Sequence, residues 1–198
     1  MTVNQETIQL NKDVYSSGQI ESKLWLCREI EKLFQNHKAQ KIWILGGWVG
    51  LMSFLLLSRE RLNIKLICSF DKDPLCKRPA ELINENWVWK NRKFKAETRD
   101  CHSLDYQNPS AMGLEAPDLV INTSSEHFES AKWYDNIPKG SVVAIQSCNL
   151  QHKDHISCVH SKEELIEQLS FTKKLYSGEL KFDYGEHSFS RYMLIAQK

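Results

Sequence analysis

The sequence lacks an excess of either charge: 26 basic residues stand against 25 acidic ones, a formal net charge of +1. That balance excludes a global attraction to nucleic acid or to an anionic membrane as the basis of function. It also lacks a CxxC pair; its six cysteines are scattered at 27, 68, 76, 101, 148 and 158. No leader is expected, since Thr2, Asn4, Gln5 and Glu6 keep the first residues polar. A reducing, cytoplasmic setting is the expectation. Repeats, low-complexity tracts and linker-like stretches are missing too, which suits one domain, or one with a small addition, in 198 residues. The one long uncharged run, residues 42–58, is broken by Gly46, Gly47, Gly50 and Ser53. It therefore reads as a buried strand, a glycine turn and a buried helix, and no membrane span is expected.

What is present is an ordinary globular composition, 41% hydrophobic and 26% charged, arranged as alternating strands and helices. Residues 1–15 read as a polar arm. Ser17 caps a predicted helix over 18–37 whose apolar positions Leu24, Leu26, Cys27, Ile30, Leu33 and Phe34 recur at helical spacing. Strands are expected over 41–45, 65–70, 94–98, 118–122 and 141–146, the last introduced by the turn Pro138-Lys139-Gly140. Helices are expected from 51, over 75–89 and over 163–169. A hairpin over 179–184 and 189–196 closes the chain. Alternation of this kind implies an α/β fold with a mostly parallel sheet and helices on both faces, and the hairpin adds an antiparallel strand. The division expected is an arm and helix over 1–40 and the main domain over 41–198.

In an open parallel sheet, ligands bind at the carboxyl ends of strands. Three features fall there. The first strand runs into Gly46-Gly47-Trp48-Val49-Gly50, where glycine allows a sharp turn and close approach to a ligand. The second ends in Asp71-Lys72-Asp73-Pro74, and a carboxylate here can accept both hydroxyl protons of a ribose. The third is followed by Arg99-Asp100-Cys101-His102, where a carboxylate can accept from an exocyclic amine and the next N–H can donate to a ring nitrogen. Each also has a plainer reading: a tight strand–helix turn at 46–50, a helix cap at Asp71 and Asp73, a turn cap at Asp100.

The ordered set resembles class I S-adenosylmethionine-dependent methyltransferases, over roughly residue 41 to the C-terminus. The strings GGWVG, SFDKDP, RDCHSLDY, INTSSEHF, IPKGSVVAIQS and SFSRYMLI look like a group of small methyltransferase-like proteins of bacteria and phages. The resemblance implies a three-layer Rossmann-like fold with a mostly parallel seven-stranded sheet. It implies S-adenosylmethionine as cofactor and direct methyl transfer to an acceptor that the sequence does not identify. By it, Gly46, Gly47, Trp48 and Gly50 would shape the methionine end of the site. Asp71 would hold the ribose, Lys72 would flank the adenine, and Asp100 and Cys101 would read its edge. The pattern departs from the family at Ile44, where an acid is usual, and at Trp48, which replaces the middle glycine.

The loop Asn122-Thr123-Ser124-Ser125-Glu126-His127 follows the fourth strand, where the family places its acceptor. Asn122 alone matches the family's amino-methylating motif. Glu126 and His127 are candidate proton acceptors, against a plainer reading in which Glu126 starts a helix. The segment Cys148-x3-His152-x2-His155-x2-Cys158-x-His160 is rich in zinc-ligand types, but its spacing matches no closed site, so no metal is expected. Lys90, Arg92, Lys93 and Lys95, interleaved with Trp87, Trp89 and Phe94, read as a solvated face more readily than as a nucleic-acid contact. Gln19, Ser22 and Lys23 make the N-terminal helix a candidate lid. A cofactor-binding protein without turnover and a nicotinamide-dependent oxidoreductase are the rival classes.

Overall fold

The computed structural model describes residues 12–34, 40–89, 92–185 and 187–198. Seven strands form one sheet: β1 (Lys41–Leu45), β2 (Leu66–Asp71), β3 (Phe94–Thr98), β4 (Leu119–Asn122), β5 (Val142–Cys148), β6 (Lys173–Asp183) and β7 (Ser188–Gln197). Their order is β3-β2-β1-β4-β5-β7-β6. The pairs among β1 to β5 are parallel, while β7 runs antiparallel to both β5 and β6. The expected seven-stranded, mostly parallel α/β sheet with a terminal antiparallel hairpin is therefore what the chain forms.

Period-two alternation on fully buried strands builds two cores, one on each face. Ile42 and Ile44 face a cluster with Leu26, Ile30, Met52 and Leu56; Trp43 and Leu45 face another with Phe70, Tyr106 and Trp133. The first cluster takes in α1 (Ser17–Phe34), so that helix packs on the sheet through Trp25, Leu26, Cys27 and Ile30. Predicted helix positions 35–37 lie outside the described residues, as do positions 1–11 of the predicted arm. Positions 12–15 are not arm-like: Lys12–Tyr15 form a 3-10 turn whose Val14 is fully buried against Val49 and Leu51.

α2 (Leu51–Ser58) follows the glycine turn as expected. The single helix expected over 75–89 is instead a 3-10 turn at Pro74–Cys76, α3 (Lys77–Ile83) and α4 (Glu85–Trp89). The break is at Asn84, whose buried amide donates to Gly50 O at 3.1 Å and to Ala80 O at 2.9 Å. A side-chain bond to a loop distant in sequence wins over helix continuity there. Two further helices are short, α5 (Lys132–Asp135) and α6 (Lys162–Glu167). β5 extends two residues past its expected end, to Cys148, because β7 supplies a partner as far as Arg191. β6 starts six residues early, at Lys173, in a polar stretch that lacks apolar alternation and pairs only along one edge. No helix among the described residues is long and apolar enough to cross a membrane.

Candidate functional site at the carboxyl ends of the strands

The glycine turn is built from main-chain bonds. Gly46 (φ 61°) and Gly50 (φ 76°) are left-handed, and Gly50 N–H donates to Gly47 O at 2.9 Å. Trp48 is left-handed as well, with φ 47°, a conformation costing a side-chain-bearing residue roughly 1–2 kcal/mol. Its N–H donates to Asp71 Oδ2 at 2.9 Å, and Asp71 Oδ1 accepts from Asp73 N–H at 3.1 Å. Asp71 is thus the bond between the first and second strand ends. The Cys76 thiol also bonds to this carboxylate, which leaves one of its four lone pairs for a ligand hydroxyl, and the residue is half-buried.

Lys72 and Asp73 are exposed, and Asp73 caps the Pro74 turn by accepting from Leu75 N–H at 2.9 Å. Asp100 also caps a turn. It accepts from the main-chain N–H of His102 at 2.9 Å and meets the His102 ring at 3.0 Å. The His102 N–H, first, and then the ring hold its carboxyl below the ordinary carboxylate range. The capping readings of Asp73 and Asp100 are realised. Neither prevents an exposed carboxylate from accepting a further bond. Cys101 is buried and its thiol is pushed up to about 12 by desolvation, while the Gly46 N–H bonds to its sulfur.

Several participants had no signal in the sequence. Ser124 Oγ donates to Gly46 O at 3.3 Å. A Cβ on Gly46 would stand 2.8 Å from Ser124 Oγ and 3.4 Å from the Phe128 ring. Phe128 also packs on His102 and Trp133. The ends of β1, β3 and β4 therefore touch one another directly. The cavity lined by Trp48, Ser69, Asp71, Cys76 and Ala80 holds only about 10 Å³, against roughly 300–1,000 Å³ for a small-molecule pocket. A small-molecule ligand at this rim lies above these loops or displaces Ser124 and Phe128. A larger open groove of about 530 Å³, lined by Leu56, Glu60, Arg61, Asn63 and Lys93 among others, lies at the amino-terminal rim of the sheet. No strand-end acid or glycine turn faces it, and ligands of such sheets bind at the other rim.

The second half of the site is buried. Asn122 ends β4 and accepts from Ser124 N–H through Oδ1 at 3.0 Å. Glu126, at 1% exposure, pairs with Arg191 of β7 at 3.3 Å. Lys23 of α1 points inward, bonded to Gln19, and burial first and the Arg191 charge second bring its pKa down to about 7. Gln146 Nε2 donates to Ser22 O at 2.9 Å, tying α1 to β5. Asn122 Nδ2, Glu126 Oε2, Gln146 Oε1, Ser147 Oγ and Arg191 Nε are buried with no partner among the described residues. His127 is exposed, and its Nδ1 lies 2.9 Å from Asp154 O, which holds the proton on Nδ1 and leaves the lone pair on Nε2. Arg191 and Gln146 were not singled out beforehand, since nothing local to them marks a site.

Of the remaining sequence features, Cys148, His155 and Cys158 converge, while His152 and His160 do not join them. Lys95 pairs with Glu97 at 2.6 Å and Trp87 packs on Phe54, as suits a solvated face and its edge; Lys90 lies outside the described residues.

No family model and no curated protein matches the chain by sequence. Solved structures do match by shape. The N-methyltransferase NodS from Bradyrhizobium japonicum WM9 superimposes with a TM-score of 0.64 at 12% identity, over 93% of this chain and 99% of its own. The magnesium protoporphyrin IX methyltransferase from Synechocystis PCC 6803, solved with S-adenosylmethionine, gives 0.65 at 13%, over 97% of this chain and 87% of its own. A geranyl diphosphate methyltransferase in complex with the same compound gives 0.61 at 9%, over 94% and 92%. Strand order, the antiparallel seventh strand and these superpositions agree: the chain has the Rossmann-like fold of the class I methyltransferases.

Proposed function

We propose that the chain is an S-adenosylmethionine-dependent methyltransferase. The observation that carries the reading is the bond from Trp48 N–H to Asp71 Oδ2: it couples the glycine turn to a half-buried carboxylate at the end of β2, the arrangement a ribose diol requires. The fold neighbours solved with the cofactor support the same choice. The chain's residues fit the nucleoside end, where Asp71 retains a lone pair and Asp100 is 57% exposed. They fit the methionine end once Ser124 and Phe128 yield, because Gly46 then presents bare main chain.

Bound there, the cofactor supplies an electrophilic methyl, so the transfer needs no metal. In this reading Asp71 orients the ribose, Lys72 and Asp100 border the adenine, and Cys101 N–H faces its ring. Gly46, Gly47, Trp48 and Gly50 set the floor, with Asn122 beside it. The acceptor enters between α1 and the 122–128 loop, with Gln19, Ser22 and Lys23 as the lid. His127, exposed and held through Nδ1 by Asp154 O, is the candidate base; Glu126, held by Arg191, is the second candidate.

Calorimetric titration with S-adenosylhomocysteine tests the reading. A dissociation constant in the micromolar range, about −8 kcal/mol, is expected, with NAD giving no heat. No heat and no thermal shift at millimolar ligand would remove it. Tritium-methyl labelling of a cell extract then seeks the acceptor. With an acceptor in hand, His127→Ala should bind cofactor normally and lose about a hundred- to ten-thousand-fold in rate.

A further inference from the structure

The stretch after β5 returns to the turn after β4 and is fastened to it. The N–H groups of Ile156 and Ser157 both donate to Glu126 O, at 2.8 and 3.0 Å. Ser157 Oγ lies 3.0 Å from Ser125 O and 2.8 Å from Phe128 O, and Val159 N–H donates to Cys148 O at 3.1 Å. The result is convergence. One ligand atom each from Cys148, His155 and Cys158 lie within 4.8 Å of one another, and Glu126, His127 and His155 form a second set that shares His155. Cys148 Sγ is 3.5 Å from Glu126 Oε1.

We propose that Cys148, His155, Cys158 and Glu126 bind one zinc ion that staples the loop after β5 to the loop after β4. Spacing along the chain pointed away from a closed site because the fourth ligand lies 22 residues upstream of Cys148. Two thiolates, an imidazole and a carboxylate are zinc's own ligand types. Bond lengths of about 2.3 Å to sulfur and 2.0 Å to nitrogen or oxygen separate tetrahedral ligand atoms by roughly 3.3–3.8 Å. The Cys148, His155 and Cys158 set therefore needs a contraction of about 1 Å, within reach of side-chain rotation, and Glu126, already beside Cys148 and grouped with His155, must turn its carboxylate toward that set. A second observation points the same way: Glu126 Oε2 is buried and has no hydrogen-bond partner, an orphan that a cation would satisfy.

The surroundings suit the ion. Leu150 O lies 2.7 Å from His155 Nδ1, and Cys148 Sγ lies 3.8 Å from the same nitrogen; with Nδ1 kept on the carbonyl, the usual support of a ligating histidine, a turn of the ring brings Nε2 to the ion. Two thiolates and one carboxylate leave a zinc complex at −1, and the Arg191 guanidinium 3.3 Å from Glu126 balances it. On binding, the Cys148 and Cys158 thiols each give a proton to solvent. The inference does not depend on the methyl-transfer reading.

Cobalt(II) titration of the full chain, under a non-thiol reductant, tests it. One equivalent should develop a thiolate-to-cobalt charge-transfer band, displaced by one equivalent of zinc. Cys148→Ser and Cys158→Ser should each lose roughly half of that intensity per metal, while Cys76→Ser keeps it all. Zinc should raise the melting temperature of the parent and of Cys76→Ser, and leave that of His155→Ala, a half-buried loop position, unchanged. Absence of the band, or a band undiminished in both cysteine variants, overturns the proposal. So does a zinc-induced thermal shift that His155→Ala retains.

Discussion

At the ends of β1, β2 and β3 the polar groups are mostly half-buried or exposed, and each finds its partner within a few residues or in the next strand. Asp73 caps Leu75 and Asp100 caps His102. At the ends of β4, β5 and β7 several polar groups are buried, and the partners of Glu126 and Gln146 come from far along the chain. Glu126 meets Arg191 across 65 residues, and Gln146 reaches Ser22 across 124. The first kind of site tolerates loss, because water replaces a missing partner. The second does not, because a buried charge without a partner has no such substitute.

Four substitutions would break or sharpen that contrast. Arg191→Met leaves the Glu126 carboxylate buried and unpaired, and should cost about 3–5 kcal/mol in urea unfolding; a loss under 1 kcal/mol would mean water reaches the pair. Lys23→Met acts in the opposite direction. The Lys23 pKa falls from its ordinary 10.5 to about 7 in the folded chain. Folding thus releases a proton, and the charged form opposes folding in full below pH 7. The opposition fades as pH rises from 7 to 10.5. The variant should therefore be more stable than the parent by a few kcal/mol near pH 6, with the gain gone above pH 10.5. Arg191, Glu126, Asp13 and Cys27 are the charges and thiol acting on Lys23, in that order of weight after burial. A gain that does not vary with pH would assign it to packing alone.

Asp71→Ala should weaken S-adenosylhomocysteine by about 1.5–3 kcal/mol, the worth of a charge-assisted bond, with the fold intact by circular dichroism. Unchanged affinity would make Asp71 an anchor for Trp48 and nothing more. Asp73→Ala, losing an exposed cap, should cost about 1 kcal/mol of stability and leave ligand affinity untouched. If Asp73→Ala weakens the ligand more than Asp71→Ala, the ribose assignment belongs to the wrong acid.

Legibility followed the same divide. β1 and the start of α2 fall where apolar periodicity put them, because buried parallel strands need continuous apolar residues and glycine punctuates their ends. The break at Asn84 was hidden because its bond partner, Gly50, lies 34 residues away. Ser124 and Phe128 were invisible for the same reason; only the fold puts them against Gly46. Cys148, His155 and Cys158 were visible as residue types, yet no spacing rule connects them to Glu126.

The amino-acid sequence by itself determined the first four strands, their glycine and aspartate ends, and hence the α/β class, since these depend on periodicity and local turn chemistry. Only the tertiary structure decided which carboxylates stay in water and which is buried against an arginine. It also decided that the lysine of α1 faces inward, and that two cysteines and a histidine gather beside Glu126. Burial and charge pairing depend on distances in space, and the order of residues along the chain does not record them.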